Sequence, residues 1–169
     1  MNKLMSKYNA LKNRAKSNKG FTLVELIVVI VILAILIGVS VNGYTKYIGQ
    51  SRLNTDKQNA ETLRSVMVNA VAAEGVYEEL MANPDKTVVI VLKNNSGSDT
   101  TTYTPATELA KYSAEVLRSV GAADAAAFQS KNKTQYTGGV ITITAKSTAN
   151  GDVTVDVVGS GTYPAGTTF

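Results

Sequence analysis

The sequence predicts an α+β chain. A long N-terminal helix, apolar in its first half and amphipathic in its second, packs on a small antiparallel sheet with short helices. Three observations carry this. No proline interrupts residues 21–83, and the apolar residues there form first a continuous run and then a stripe at spacings of three and four. "TVVIVLK" (87–93), "GVITITAK" (139–146) and "DVTVDVVG" (152–159) have strand length, and the last two alternate. The Asn150-Gly151 pair between those two marks a hairpin turn.

Residues 1–20 hold Lys3, Lys7, Lys12, Arg14, Lys16 and Lys19 and no acid. The chain's net charge of +4 therefore belongs to this segment, because residues 21–169 carry eleven basic and thirteen acidic residues. The chain has no cysteine, which excludes disulfides and thiolate chemistry. It has no histidine, so the commonest general base and transition-metal ligand is missing. With no nucleophile–base pair and no phosphate-binding glycine loop, neither an enzyme nor a cofactor is expected.

Phe21 to Val41 is apolar apart from Thr22, Glu25, Gly38 and Ser40. Its 21 residues suffice to cross a hydrocarbon core of about 30 Å. The basic flank lies before it, so residues 1–20 are expected to stay cytoplasmic and the bulk of the chain to be exported. A cleavable secretory signal would have a shorter apolar region and a small-residue exit. A plain anchor explains length and charge but not Glu25, although a first-turn acid faces a favourable helix dipole. An acid inside a membrane helix points to function. No Lys or Arg lies between Lys19 and Lys46 to neutralise it. A cut between Gly20 and Phe21 would create an α-amino group one helical turn from Glu25, able to pair with it in the same chain or in a neighbour.

At these residues the sequence resembles the type IV prepilins and related pseudopilins. "KGFTLVELIVVIVILAIL" supplies a basic leader ending in Gly20, then Phe21, Thr22, Leu23, one intervening residue, Glu25 and an apolar helix. The resemblance covers about residues 19–60. It implies cleavage after Gly20 by a prepilin peptidase, N-methylation of Phe21, and pairing of Glu25 with the amino terminus of an adjacent subunit. It also implies an assembly ATPase and a membrane platform protein as partners. The leader is longer than in many relatives. Many relatives also carry a proline about twenty residues into the mature helix, where this chain has "GVSVNGY". Gly38, Asn42 and Gly43 are expected to supply flexibility there, or the glycines let helices approach closely. Family filaments lose helix in this region, which favours the first.

The resulting organisation is a cleaved leader (1–20), a membrane or filament-core half of the helix (21–43) and an exported head (44–169). One helix is expected over about 22–74, roughly 80 Å long at 1.5 Å per residue. Ala60, Leu63, Val66, Met67, Ala70 and Val71 form its apolar stripe, with Asp56, Lys57, Glu61 and Arg64 on the opposite face. Gly75 is its stop, and a short continuation at Val76–Ala82 ends at Asn83-Pro84. Residues 94–105 read as a polar loop and Ala106–Gly121 as a helix facing inward through Leu109, Tyr112, Val116, Leu117 and Val120. "AADAAAFQS" reads as a second short helix and residues 159–169 as a loop-like tail. The sheet should have three strands or slightly more.

Other candidates are weaker. Asp152 and Asp156 share a strand face and, with Glu78, Glu79 or Asp85, are a conceivable Ca2+ set, but no calcium-loop pattern supports a metal. Asn94-Asn95-Ser96 and Asn132-Lys133-Thr134 match a glycosylation pattern short enough to arise by chance. Lys131, Lys133 and Tyr136 are too sparse for a nucleic-acid footprint. The loop 94–105 and the tail are expected at a filament surface. The function expected is a structural pilin, a major subunit of a type IV pilus, membrane-bound before assembly and extracellular after it. The alternatives are a major pseudopilin of a secretion or competence system and a membrane-anchored adhesion protein that never polymerises. Motility, adhesion, DNA uptake and secretion all reuse this subunit design.

Overall fold

The computed structural model describes residues 20–95, 99–131 and 133–169. The leader before Gly20 lies outside the described residues, as do Ser96 and Asn132 of the two glycosylation matches and the side chains of Asn42 and Lys131. The chain divides into two compact units, Met1–Thr45 and Lys46–Phe169.

Helix α1, Leu23–Asn69, runs through both units. In the first unit its apolar side chains are exposed on every side, from Leu26 at 61% to Ile37 at 63%. A helix apolar all round needs lipid or other helices around it. It stays helical from Gly38 to Gly43. Ser40 satisfies its hydroxyl inside the helix, donating to the Leu36 carbonyl at 2.6 Å.

In the second unit Leu53, Ala60, Leu63 and Met67 of α1 are buried, as is Ala70 just after it, at the spacings the stripe predicts. The helix tightens into a 3-10 turn at Ala70–Ala72. There the regular ladder stops, and the buried Tyr112 hydroxyl donates to the Met67 carbonyl at 2.8 Å. Gly75 takes a left-handed φ of 73°, reversing the chain into α2, Val76–Ala82. Strand β1 (Thr87–Lys93) and strand β2 (Thr100–Thr104) follow. A 3-10 turn at Thr107–Leu109 leads into α3, Ala110–Val120. Helix α4 (Ala125–Lys131) and the hairpin β3 (Gly139–Ser147) and β4 (Val153–Gly161) complete the order.

Both ends of α3 are satisfied from outside its ladder. Glu79 accepts the Lys111 and Tyr112 amides, each at 2.9 Å. At the other end Gly121 is left-handed, its amide bonds Arg118, and the Ala122 amide reaches back to Leu117.

The four strands lie in the order β2-β1-β3-β4, every pair antiparallel. One face, through Val88, Ile90, Leu92, Tyr103, Ile141, Ile143 and Ala145, is buried in the same core as α1, α2 and α3. Strand β2 corrects the expected loop over 94–105. Its threonines are polar but β-branched, and they alternate so that Thr101 and Tyr103 turn inward. Helix α4 packs beside β2, with Phe128 and Tyr103 ring centres 5.3 Å apart. The sheet thus gains a fourth strand where polarity alone suggests none.

Asp56 corrects a second expectation. Its charge places it on the solvent side of α1, but it is fully buried. It lies three residues after Leu53 and four before Ala60, so the helical period carries it inward. Its carboxylate accepts the Thr134 hydroxyl at 2.5 Å, the Gln135 amide at 2.5 Å, the Tyr136 amide at 2.7 Å and the Tyr163 hydroxyl at 2.7 Å. Burial and the neighbouring carboxylate push the Tyr163 phenol upward, so it remains a donor.

The tail is a third correction. β4 extends to Gly161, and Tyr163 and Phe169 are half-buried. Tyr163 stacks on Tyr136 with ring centres 5.0 Å apart and meets Phe169 edge-on at 5.2 Å. A side chain at Gly139 would collide with the Tyr163 ring, and one at Gly159 with the Phe169 ring. The two glycines leave room for the tail's aromatics. Asp56→Ala is expected to lower head stability by about 3 kcal/mol, because it strands buried donors. Urea unfolding of the detergent-solubilised chain checks this, and Asp56→Asn, which keeps an acceptor, should lose less.

Candidate functional site

The amino end of α1 is built by Thr22 and Glu25. Thr22 precedes the first helical residue, Leu23, and Glu25 is the third residue of the helix. The Glu25 amide donates to the Thr22 hydroxyl oxygen at 3.2 Å. In return, Glu25 Oε2 accepts the Thr22 amide at 2.9 Å and the Thr22 hydroxyl at 2.9 Å. This reciprocal pair is a capping box, and it satisfies two amides the helix itself cannot. The Leu26 amide closes the first turn on the Thr22 carbonyl at 3.2 Å.

Glu25 therefore has a task within its own chain. The signal is present in the sequence, since "TLVE" is the Thr-x-x-Glu spacing ahead of an apolar run. Looking for a cation to neutralise the acid misses it, because the donors of the cap are uncharged. The cap uses Oε2 alone; among the described residues Oε1 has no hydrogen-bond partner. Oε1 also lies in the field of the helix's positive end, which favours a carboxylate there. Gly20 and Phe21 precede the helix in irregular backbone, Phe21 being 87% exposed. Leu23 is 74% exposed. Gly20, Phe21, Thr22, Leu23 and Glu25 thus form one accessible cluster at the helix tip. Gly38 and Gly43 lie more than a dozen residues along α1, with open space where a side chain would be.

The other acids do not converge. Asp85 pairs with Lys146 at 2.7 Å, and that hydrogen bond holds its carboxyl below the usual range. Glu79 caps α3, Asp152 accepts the Thr148 hydroxyl, and Asp156 is exposed on β4 opposite Thr144. Among the described residues no three such groups are placed to hold a metal ion. Thr134, the hydroxyl residue of one glycosylation match, is buried on Asp56. The Asn94 amide group of the other donates to the Thr134 carbonyl at 3.3 Å. Tyr136 is stacked on Tyr163, and Lys133 shares a groove with Asp99.

Helix α1 is long and apolar enough to cross a membrane. Comparison with known proteins adds one finding: residues 15–41 match the family described as the prokaryotic N-terminal methylation motif. No curated protein and no solved structure matches the chain. The matched residues contain the whole cluster at the helix tip, and with it the chain carries the signature of type IV pilins and prepilins.

Proposed function

We propose that this chain is a structural subunit, a major pilin, of a type IV pilus. The observation that carries the reading is the methylation motif with an exposed Glu25 inside it, whose Oε2 alone is held by Thr22. The basic leader orients the precursor in the membrane. A prepilin peptidase cuts between Gly20 and Phe21, and the new amino group at Phe21 is methylated. Oε1 of an incoming subunit then accepts the Phe21 ammonium of a neighbour, while Oε2 keeps its own helix capped.

Thr22 is a positioning residue in this scheme, because it fixes the carboxylate rotamer before the partner arrives. A carboxylate carried at the helix tip into an apolar bundle loses water, and a partner ammonium offsets that loss. Pairing it gives helices a reason to associate in one register. The apolar helix surfaces bury one another as subunits leave the bilayer, contributing roughly 25 cal/mol per Å2. Repetition of one heterologous contact yields a helical polymer. Gly38 and Gly43 lower the cost of loosening α1 between the membrane half and the head, each by about 1 kcal/mol relative to alanine.

Glu25→Ala is expected to remove filament mass from sheared surface fractions by at least tenfold, with the protein still present in the membrane. Unchanged filament yield would sink the pairing mechanism. Thr22→Val should reduce filament mass severalfold, and Thr22→Ser, which keeps the cap, should restore it. Gly20→Ala should accumulate the full-length precursor on immunoblots; normal processing would refute the cut site. Long native filaments containing this chain, seen by electron microscopy, separate a pilus from a pseudopilus.

A further inference from the structure

Among the described residues, the most exposed aromatic side chains stand at the two ends of the apolar run. Phe21 is 87% exposed at one end, and Tyr44 and Tyr47 are 66% and 70% exposed just past the other. Tyr77 is 49% exposed, whereas Tyr103 and Tyr112 are buried. Tyr44 and Tyr47 are three residues apart in sequence, just past the apolar run. The exposed Lys46 lies between them in sequence.

Tyr44 borders an apolar notch with Leu36, Ile37, Ser40 and Val41. Helical side chains lean toward the amino terminus, so its ring lies back along the apolar run. That lays the Tyr44 ring over the end of the apolar run, at the level where tyrosine is enriched beside lipid headgroups. Tyr44 lies 23 residues beyond Phe21, which at 1.5 Å per residue is about 35 Å. A hydrocarbon core of about 30 Å plus one headgroup layer of roughly 5–8 Å spans that distance. Between Glu25 and Asp56 there is no acid, so Lys46 meets no competing charge on this stretch.

We propose that Tyr44, Lys46 and Tyr47 seat the unassembled chain in the headgroup layer of the outer leaflet, with Lys46 drawn to anionic lipid phosphates. The two tyrosines act as a stop that fixes the depth of α1, so that the Gly20–Phe21 bond is held at the opposite boundary. This rests on reading residues 21–41 as a membrane span.

The chain has no tryptophan, so Tyr44→Trp, Tyr47→Trp and Leu33→Trp each introduce a single fluorescent probe. Each full-length variant is reconstituted in phosphatidylcholine vesicles with a minor share of phosphatidylglycerol, alongside Tyr77→Trp as the aqueous reference. The indoles of Tyr44→Trp and Tyr47→Trp should be quenched severalfold more by shallow than by deep nitroxide lipids. Iodide should quench them severalfold less than it quenches Tyr77→Trp. The indole of Leu33→Trp should respond mainly to the deep nitroxide. If Leu33→Trp reports a deep position while iodide quenches the two headgroup probes as fully as the aqueous reference, the seat is wrong and the span stands. If the Leu33→Trp indole is itself open to iodide, the span fails and the seat falls with it.

Discussion

A carboxylate removed from water must find its hydrogen bonds in protein, and the head depends on how Asp56 finds its four. Two come from backbone amides at Gln135 and Tyr136, one from Thr134 and one from Tyr163. These donors belong to the segment between α4 and β3 and to the tail after β4, neither of which is regular secondary structure. Each would be free to leave α1 without a strong acceptor. Asn59 adds a bond to the Lys133 carbonyl, and Arg52 one to the Thr137 hydroxyl, on either side of Asp56. The hairpin of β3 and β4 is thereby tied to α1 by polar bonds at one end and by apolar packing through Ile141 and Ile143. Burying a charge costs stability when it lacks partners, and a saturated one instead enforces a single arrangement of the segments around it.

The same helix carries a second carboxylate used differently. Asp56 shares both oxygens among groups of its own head. Glu25, an exposed residue, commits one oxygen to its own helix end and leaves the other without a hydrogen bond among the described residues. A capped helix end is already ordered, so a partner meeting that second oxygen does not have to organise the first turn. Burial and position on a helix, and not residue type, thus determine whether a carboxylate holds a fold together or remains available to another molecule.

Much of this was legible in the sequence because periodicity has a direct geometric meaning. The apolar stripe located the buried side of α1, the β-branched run located β1 to its end residues, and Asn150-Gly151 located the hairpin, Gly151 having a φ of 77°. β2 was not legible because "TTTYT" reads as polar, and its inward positions are filled by a threonine and a tyrosine. Asp56 was not legible because charge argues for solvent while helical phase argues for the core, and its donors lie 78 to 107 residues away. The tail reads as loop because its aromatics act on glycines ten and twenty-four residues before them, a relation no short-range pattern records. At the helix tip the residues were legible as a cluster, but the bond between Thr22 and Glu25 was obscured, since an acid in an apolar run directs attention to a partner outside the chain.

Phe169 lies against Gly159, and six residues earlier Tyr163 reaches Asp56. Both aromatics come after every strand of the sheet. In an orientation with the amino terminus inside, they also cross the membrane after every strand. Until they do, Asp56 lacks its phenol donor and the glycines of β3 and β4 lie uncovered. Closure of the head is therefore timed by the segment that follows β4. On that orientation, a chain still crossing the membrane would have an unfinished head on its far side until that segment had been delivered.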